Sequence, residues 1–466
     1  MLNLRNLEVN FMSITKPIGI LAGRCVKLAA KILHRGGTAK PGEIALKLCP
    51  NLVEQLSRDM HIIVITGTNG KTTTARIVEQ GLQDAGIDCT ANRSGANLLS
   101  GIATMLMENC SLSGKPRKTV AVVECDEAAF RRAVPQMQPE VILVTNLFRD
   151  QLDRYGSMEN VLGYIREGIQ GAPKAKVCLN ADCSLVASLG DDVENQCFYY
   201  GMDEHMGGGE APEVSAAPNC IRCGTPYEYD YRVYGHLGGF KCPKCGYKRP
   251  DSSLTVTELV GRDADSSTVK VLSGGKTHTM RVNLPADYNI YNALGAVSAL
   301  TAYGVSLDSA LSSCESFSCG FGRMEKLESD KATYRMILVK NAVGCDQVIS
   351  YLCSLDEDFL PVFLLNNKAA DGTDISWIEE ASFERLAEKH GHEAMVAGMC
   401  APELAERLKK AGFDPEGVLV EQDLDKLVER MEERGGNIFV VPNYTSMLDI
   451  HHKLAQCCGS KEFWEE

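Results

Sequence analysis

Apolar runs and helical patterns alternate along the chain from residue 61 to about residue 200. The strand candidates are short, nearly continuous apolar runs: HIIVITG, KTVAVVEC, EVILVTN and AKVCLNAD. Between them, the spacing of apolar residues predicts helices around 71–85, 96–108 and 158–170. Apolar strands separated by helices are typical of a parallel sheet covered on both faces. The pattern therefore predicts an α/β domain.

A second α/β pattern follows the glycines near residue 320. Its strand candidates are YRMILVKN, LPVFLLNN, HEAMVAG and NIFVVPN, with helices predicted at 402–412 and 423–434. Between the two patterns lies a segment rich in Gly, Pro and paired Cys, after which helical spacing resumes at ADYNIYNALGAVSALTAYGV. We predict a helical segment over 1–55, a domain over 56–320 with an insertion at about 205–262, and a smaller α/β domain over 321–466.

The N-terminal segment is basic and amphipathic. Residues 1–50 contain eight Lys and Arg and two Glu, which gives this segment a charge of +6. Because the net charge of the whole chain is −13, the remaining residues carry −19. One helical face is apolar and an adjacent face is cationic: the first comprises Ile18, Leu21, Cys25, Leu28, Ala29 and Ile32, and the second Arg24, Lys27, Lys31 and Arg35. Such a helix either lies on an anionic membrane surface or packs on its own domain with a solvated cationic flank.

The amino-acid composition excludes one class of protein and indicates the cellular compartment. The acidic balance argues against a general nucleic-acid binder, because phosphate contacts require a cationic surface. No transmembrane run or secretory signal is evident, and most of the 19 cysteines are scattered singly in apolar contexts, as reduced thiols are. We therefore expect a cytoplasmic protein.

A glycine-rich turn follows the first apolar run and precedes a predicted helix. It comprises Gly67, Thr68, Asn69, Gly70, Lys71, Thr72 and Thr73. In a strand–loop–helix unit, the backbone N–H groups of such a loop hold phosphate oxygens at the helix N-terminus. Lys71 would neutralise phosphate charge, and the Thr72 hydroxyl would ligate Mg²⁺. The sequence therefore predicts a nucleotide site with a loop two residues shorter than the usual phosphate loop.

Polar residues follow two further strand candidates. Glu124 lies next to the last residue of KTVAVVEC and is a candidate Mg²⁺ ligand, because the carboxyl ends of parallel strands lie beside the loop. For Asp126 and Glu127, a helix-capping or surface role is the simpler interpretation. Asn146, the last residue of EVILVTN, and Asp150, four positions later, predict the rim of a site.

The order of these motifs resembles the Mur ligase family. The chain contains TGTNGKTTT, VVECDE, TNLFRDQLDRYG, YNIYNALGA and FGRMEKL in the order in which that family carries them. The family joins an amine to a carboxylate through an acyl phosphate made from ATP. The resemblance implies ATP and Mg²⁺ as cofactors, with Lys71 and Thr72 at the phosphates and Glu124 at the metal.

The resemblance also assigns three residues outside the loop. Asn289 and Asn292 correspond to asparagines near the adenine, and Arg323 to an arginine that reaches the nucleotide from the last domain. Helix capping by Asn292 and an interdomain salt bridge of Arg323 are the structural alternatives.

The chain departs from the family pattern in three places. Only 66 residues precede the loop, and the predicted N-terminal segment comprises about 55 of them, too few for a Rossmann-like N-terminal domain. Asp150-Gln151 stands where the family often has a histidine metal ligand, and LVKNAVG at 338–344 stands where D-x-A-H-N is usual. The ribose contacts and the second metal site are therefore not predicted.

Four cysteines are paired. Cys220-x-x-Cys223 and Cys242-x-x-Cys245 are separated by 18 residues, and each pair is followed by glycine. This spacing is typical of a zinc ribbon, in which four thiolates complete a closed, structural tetrahedron. Reduced free thiols and a redox pair are the alternatives.

The short N-terminal segment and the four-cysteine insertion are together similar to one branch of the family. That branch amidates the D-glutamate α-carboxylate of lipid II with ammonia from a GatD-like glutaminase subunit. The resemblance implies that an aspartate of the last domain completes the partner's triad, and Asp371 and Asp374 are the candidates. A turn at Asp371-Gly372 and helix capping by Asp374 are their structural alternatives.

Two other functions remain as alternatives to amidation of lipid II. One is a ligase that adds an amino acid to a carboxylate, as folylpolyglutamate synthases do. The other is a zinc-ribbon scaffold that binds a nucleotide without turnover.

Overall fold

The computed structural model describes residues 2–32, 39–92, 96–148, 157–203, 206, 217–263, 265–317 and 323–459. In its first helix, the described side chains are those of residues 15–30, and the side chain of Arg323 lies outside the description. Five further residues that the sequence analysis names also lie outside the described residues or have no described side chain: Lys31, Ile32, Arg35, Asp150 and Gln151.

In the described part of the chain, three helices precede the first strand: α1 (Leu2–Ile32), α2 (Lys40–Leu48) and α3 (Leu52–Ser57). Among the described residues, no helix has the length and apolar character needed to cross a membrane. Helix α1 packs closely on its neighbours through glycines, because a Cβ at Gly19 would lie 3.2 Å from Cys49 Cβ at the end of α2 and one at Gly23 would lie 2.6 Å from Cε of Met107, a residue of the segment Leu99–Glu108. The buried face of α1 therefore carries Gly19, Ile20 and Gly23. The face predicted as apolar points to solvent instead, so the helix packs on its domain with a different face from the one its apolar residues suggested.

The larger sheet is built from the apolar runs of the first pattern. Its order in the described residues is β11-β10-β9-β6-β5-β4-β1-β3-β2, parallel from β2 to β9 and antiparallel over β9–β11. The strands are β1 (His61–Thr66), β2 (Cys89–Ala91), β3 (Val120–Glu124), β4 (Val141–Val144), β5 (Lys176–Asn180), β6 (Cys197–Met202), β9 (Leu254–Arg262), β10 (Ser267–Ser273) and β11 (Lys276–Val282).

Helices cover both faces of this sheet. Strand β1 lies between β3 and β4, so the chain reverses its direction of travel across the sheet beside the end of β1, where ligands bind in such folds. The helices are α4 (Lys71–Asp84), α5 (Leu99–Glu108), α6 (Glu127–Met137), α7 (Met158–Gln170), α8 (Ser184–Ala187), α9 (Asp287–Tyr303) and α10 (Leu307–Ser316), with a 3₁₀ turn at Ser188–Asp191.

The insertion contains a separate hairpin of β7 (Glu228–Tyr234) and β8 (Leu237–Lys241). Strand β9 falls within the range predicted for the insertion, yet it pairs in parallel with β6 of the larger sheet. Apolar alternation alone could not separate β9 from the hairpin, because β9 follows the cysteine pairs directly and its pairing with β6 is a contact between segments about 55 residues apart.

The last domain has its own sheet, in the order β12-β13-β17-β14-β15-β16, parallel except for the β12–β13 pair. Its strands are β12 (Arg323–Glu328), β13 (Ala332–Ile337), β14 (Phe359–Leu364), β15 (Ala394–Ala397), β16 (Val418–Val420) and β17 (Gly436–Pro442). Its helices are α11 (Ala342–Ser354), α12 (Trp377–Glu380), α13 (Phe383–His390), α14 (Ala401–Lys410), α15 (Leu424–Arg434) and α16 (Tyr444–Cys458).

Candidate functional site

The glycine-rich loop joins β1 to the N-terminus of α4. Gly67 and Gly70 have φ of +124° and +83°, which side-chain-bearing residues rarely adopt. A Cβ at Gly70 would lie 2.0 Å from Asn292 Oδ1, so the close approach of α9 also requires glycine there. The loop therefore presents backbone N–H groups at a helix N-terminus, an arrangement that binds anions.

Lys71 is buried at the start of α4. Its ammonium donates to the carbonyl oxygen of Gly67, to that of Thr68 at 3.1 Å and to Glu127 Oε1 at 3.3 Å. The cation thus lies over the loop that would hold phosphates. Glu127 was interpreted from the sequence as a capping or surface residue, but it is buried and contacts Lys71.

A hydroxyl and a carboxylate meet beside the loop. Thr72 Oγ1 donates to Glu124 Oε2 at 2.8 Å, and Asn97 Nδ2 lies 3.4 Å from Glu124 Oε1. The backbone of Glu124 is held by Asn92 through two hydrogen bonds of 2.8 Å. Hydroxyl and carboxylate oxygens are ligands that Mg²⁺ accepts, so this pair forms a candidate Mg²⁺ site.

Side chains after β3 and β4 fix the surrounding backbone. Asp126 accepts from the amides of Ala128 and Ala129 at 3.0 and 3.4 Å and so caps α6, as its structural interpretation predicted. Asn146 accepts from the Asn69 amide at 3.0 Å and donates to the Asn69 carbonyl at 3.1 Å. Asn146 therefore clamps the glycine-rich loop at Asn69.

Asn289 and Asn292 lie buried in the first turns of α9, next to the loop. Asn292 Nδ2 donates to Asn289 Oδ1 at 3.2 Å, and Asn289 Nδ2 donates to the Pro285 carbonyl at 2.7 Å. Because α9 begins at Asp287, Asn292 is five residues into the helix and does not cap it. Arg323 has no described side chain, but its neighbour Met324 borders the cavity described next.

A cavity separates the loop from the last domain. One wall is formed by the loop, Glu124 and the two asparagines of α9, and the opposite wall by Leu338, Lys340, Val343 and Gln347. The opposite wall lies in the LVKNAVG segment and α11, which the sequence had marked only as a departure from the family pattern. The cavity therefore brings together residues more than 200 positions apart in the chain.

The hairpin of the insertion also reaches the cavity. Tyr234, at the end of β7, lines it and stacks on Phe148, with ring centroids 5.9 Å apart. His236 is buried beside the same phenylalanine, and its Nε2 lies 3.3 Å from Cys183 Sγ. Burial lowers the pKa of His236 to about 3, so its ring is neutral at physiological pH.

A buried carboxylate joins the insertion to α9. Asp182 Oδ1 accepts from Arg249 Nε at 2.5 Å, and its Oδ2 accepts from Tyr291 Oη at 2.6 Å and from the Met202 amide at 2.7 Å. Arg249 lies just after the second cysteine pair, and Tyr291 lies between the two asparagines of the site. Nothing in the local sequence around Asp182 predicted this network.

The four paired cysteines converge on one point. Their sulfur atoms all lie within 4.8 Å of one another, with 3.6 Å between Cys220 and Cys245 and 3.4 Å between Cys223 and Cys242. Hydrogen bonding with the side chain and backbone of Thr225 lowers the pKa of the Cys223 thiol to about 6, whereas burial and the neighbouring sulfur atoms raise the pKa of Cys245 to about 12. The four sulfur atoms therefore lie too close together to ionise independently of one another. The donor set and its spacing fit a tetrahedral metal ion.

The two aspartates of the last domain differ in their surroundings. Asp371 accepts from the Thr445 amide at 2.7 Å and from the Thr445 hydroxyl at 2.6 Å, which anchors it to the start of α16. Asp374 is exposed and accepts from the Ser376 amide at 2.8 Å, and this bond lowers the pKa of its carboxyl. Asp374 therefore presents a carboxylate at the surface, whereas Asp371 stabilises the fold locally.

Comparison with known sequences identifies the family. Models of the Mur ligase middle domain and of the MurT ligase C-terminal region match residues 65–220 and 338–447. A Streptococcus pneumoniae protein named lipid II isoglutaminyl synthase (glutamine-hydrolyzing) subunit MurT is 31% identical over 446 residues, which cover 95% of this chain and 98% of that protein. The chain belongs to the MurT group of the Mur ligase family. A Staphylococcus aureus protein of the same name is 30% identical, with 92% of this chain and 96% of that protein covered.

Solved structures share the Mur ligase fold with this MurT-group chain. MurF from Acinetobacter baumannii superposes with a TM-score of 0.66 at 16% identity, covering 89% of this chain and 80% of that one. MurF from Thermotoga maritima in complex with ADP superposes with a TM-score of 0.62 at 13% identity, covering 89% and 84%. The α/β fold with parallel sheets predicted from the sequence is thereby confirmed.

Proposed function

We propose that this protein is an ATP-dependent ligase that amidates the α-carboxylate of D-glutamate in the lipid II stem peptide, giving D-isoglutamine. The names of the Streptococcus and Staphylococcus relatives support lipid II as the substrate and glutamine as the ultimate amide source. The ADP complex of a structural neighbour supports a nucleotide at the phosphate loop.

The observation that carries the proposal is the contact between Thr72 and Glu124 beside Lys71. These groups lie at one wall of a cavity that both domains line, so a nucleotide there would meet residues of both. Phosphoryl transfer needs mainly positioning and neutralisation of charge, and this wall offers backbone N–H groups, an ammonium and a pair of metal-ligand oxygens.

Each residue then has a defined task. The loop amides and Lys71 would hold the phosphates of ATP. Thr72 and Glu124 would hold Mg²⁺, and the ion would neutralise negative charge on the phosphates during phosphoryl transfer. Asn289 and Asn292 would lie on the adenine side of the nucleotide, and Arg323 would contact it from the last domain. Ammonia would displace phosphate from the activated D-glutamate carboxyl group, forming the amide.

The ammonia would come from a GatD-like glutaminase subunit. Among the described cysteines, those buried in the core, such as Cys178 and Cys314, have thiol pKa values raised by burial to about 12, which disfavours a nucleophilic thiolate. A partner that hydrolyses glutamine therefore suits this chain better than an internal glutaminase. Asp374, exposed and ionised, is our candidate for the aspartate that orients the partner's histidine.

Cys220, Cys223, Cys242 and Cys245 would hold a structural Zn²⁺. A closed set of four thiolates leaves no open position for a substrate, so we assign the metal no step in the reaction. Because the reaction consumes ATP, we place it in the cytoplasm.

The test uses the purified chain with ATP, Mg²⁺, lipid II and ammonium chloride, read by mass spectrometry of the stem peptide. Free ammonia replaces the glutaminase, so only this subunit is assayed. We expect a mass loss of about 1 Da as a hydroxyl becomes an amino group after transfer through the activated carboxylate. Lys71→Ala should abolish the change, whereas Lys118→Ala, which removes a surface ion pair with Asp88, should retain it.

Two outcomes would contradict the proposal. Hydrolysis of ATP with an unchanged stem peptide would point to a ligase that uses another amine or another carboxylate. Nucleotide binding without any hydrolysis would favour the zinc-ribbon scaffold.

A further inference from the structure

One residue of the last domain is buried in the core of the other domain. Val343, in the first turn of α11, is 8% exposed and packs with the apolar core of the domain that carries the glycine-rich loop. Among the described residues, it is the only buried apolar residue of the last domain in that core. Other buried residues of α11 pack in the core of the last domain instead: Cys345, Val348, Ile349, Tyr351 and Leu352. Val343 therefore joins the two domains.

The turn of the inserted hairpin lies beside Val343. A Cβ at Gly235, between β7 and β8, would lie 3.9 Å from Val343 Cγ1 and 3.1 Å from Phe148 Cε1. The backbone of the turn therefore faces both side chains at close range. We call the turn over residues 234–237, together with Phe148, the valine seat.

The valine seat is fixed on the domain of the glycine-rich loop. Tyr234 stacks on Phe148, and the ring of His236 lies edge-on to the same phenylalanine at a centroid distance of 4.7 Å. Directly after the turn, the Gly238 amide donates to the Asp182 carbonyl at 3.0 Å. These contacts involve no residue of the last domain, so they can hold the seat in place whether or not α11 lies on it.

The position of Val343 decides where two polar side chains of the cavity lie. Lys340 precedes it by three residues and Gln347 follows it by four, and both line the cavity opposite the glycine-rich loop. Residues four apart share one face of a helix, so α11 moves Val343 and Gln347 as one unit. Asn341 caps this helix by accepting from the Gly344 amide at 2.8 Å, which ties the segment of Lys340 to the same unit.

The rest of the contact between the domains is limited. Ala286, just before α9, is the only buried apolar residue of the loop-bearing domain that packs in the core of the last domain, among the residues that the structure describes. Arg335 of β13 donates to Asp265, but the aspartate is 58% exposed, so this ion pair contributes little. Domains with a small apolar interface are expected to move relative to each other. A single well-packed side chain can then set the position in which they meet.

From these contacts we infer that Val343 is a positioning residue: its docking in the valine seat holds α11, and with it Lys340 and Gln347, against the nucleotide during phosphoryl transfer. The inference rests on the proposed function for the reaction that is served. It also gives the inserted hairpin a task that requires no open metal position, because the hairpin carries the surface on which the last domain stops.

The first test measures hydrogen–deuterium exchange of the full chain with ADP and Mg²⁺. Val343→Ala removes two methyl groups from the seat, so we expect the amides of residues 234–237 and 340–347 to exchange at least about fivefold faster than in wild type. Val362→Ala is the control, because Val362 is fully buried in β14 and loses the same groups within the last domain. It should leave residues 234–237 unchanged. Unchanged exchange of these residues in Val343→Ala would overturn the inference.

Kinetics with lipid II and ammonium chloride separate positioning from stability. In Val343→Ala, kcat should fall about tenfold because the last domain reaches its working position less often, whereas the Kd for ATP should rise less than about threefold because the glycine-rich loop is intact. Val343→Ile keeps the apolar contact and should keep kcat near that of wild type, and Val362→Ala should keep both constants. Equal kcat in Val343→Ala and wild type would overturn the inference, as would equal losses in the two alanine variants.

A third comparison connects the effect to the hairpin. In Cys220→Ser/Cys245→Ser, whose hairpin should be unfolded, adding Val343→Ala should lower kcat by less than about twofold, because the seat is already lost. A further tenfold loss would show that Val343 acts elsewhere and would overturn the inference. If wild type does not amidate lipid II but the exchange results are as expected, the docking of Val343 is supported and only the proposed function is contradicted.

Discussion

The hydroxyl of Tyr291 donates a 2.6 Å hydrogen bond to the buried carboxylate of Asp182, 109 residues earlier in the chain. The other oxygen of Asp182 accepts from Arg249, which follows the second cysteine pair. The carboxylate therefore ties the helix that carries Asn289 and Asn292 to the cysteine-rich insertion. Through it, the insertion supports one wall of the candidate nucleotide site.

Removing the Tyr291 hydroxyl should weaken both stability and nucleotide binding. Tyr291→Phe leaves a buried carboxylate with one donor fewer, and we expect a loss of about 2 kcal/mol in the free energy of unfolding. Urea denaturation measures this loss, and calorimetric titration with ATP should show a weaker Kd. Tyr303→Phe, at the other end of the same helix, is the control and should change neither. Unaltered ATP affinity in a destabilised Tyr291→Phe protein would limit the network to a structural role.

The contact between Lys71 and Glu127 predicts that the Glu127 carboxylate and the phosphates of ATP compete for the Lys71 ammonium group. Glu127→Gln removes a negative charge near the loop, and we expect ATP to bind about fivefold more tightly in the absence of Mg²⁺, since like charges in a buried site repel strongly. Titrating ATP in the presence of a chelator isolates this effect from metal binding. Weaker binding only when Mg²⁺ is present would instead make Glu127 a metal ligand.

Substitutions of the two aspartates of the last domain should have different effects in an assay with the partner subunit. With glutamine as the amide source, Asp374→Ala should lower the rate by at least about 100-fold, because a histidine without its orienting carboxylate loses most of its catalytic power. The rate with ammonium chloride should stay unchanged. Asp371→Ala should instead lower the melting temperature, because it removes two hydrogen bonds at the start of α16. The reverse pattern would assign the role to Asp371.

Loss of the metal should unfold the insertion and loosen the nucleotide site. Structural zinc sites have apparent binding free energies of about 10–16 kcal/mol, so the hairpin should not stay folded when the ligands are removed. Elemental analysis should find one zinc per chain in wild type and none in Cys220→Ser/Cys245→Ser, and the variant should bind ATP more weakly because Tyr234 lines the cavity. Cys353→Ser, in the last domain, should keep both properties. Zinc-free wild type of full stability would contradict the assignment.

The buried His236 should make stability depend on pH. Its folded pKa is about 3 and its ordinary value is 6.5, so between these values the unfolded chain binds more protons than the folded one. The contribution of neutral His236 is therefore complete above pH 6.5 and declines as pH falls, at up to about 1.4 kcal/mol per pH unit. Urea unfolding at pH 7.5 and 5.5 should show a smaller difference for His236→Phe than for wild type. An equal difference in both proteins would exclude this group as the cause.

Much of the fold was predictable because local patterns specify it. The runs that became β1, β3, β4 and β5 are apolar on both faces, and that property needs no knowledge of distant residues. Strands β2 and β16 were not predicted, because each has only three residues, too few to show a pattern. Helix α1 was predicted, but the face it buries was not, since its contacts with α5 depend on glycines rather than on apolar side chains.

The sequence by itself singled out the glycine-rich loop and the two cysteine pairs as candidate sites, because the chemistry predicted for them depends on residues spaced a few positions apart. The tertiary structure alone decided that Glu127 meets Lys71, that Asn292 lies against Gly70 and that Asp182 joins Arg249 to Tyr291. These contacts link segments far apart in the chain. Each polar group looks ordinary in its local sequence, and only burial in a shared, water-poor interior makes its pairing both necessary and specific.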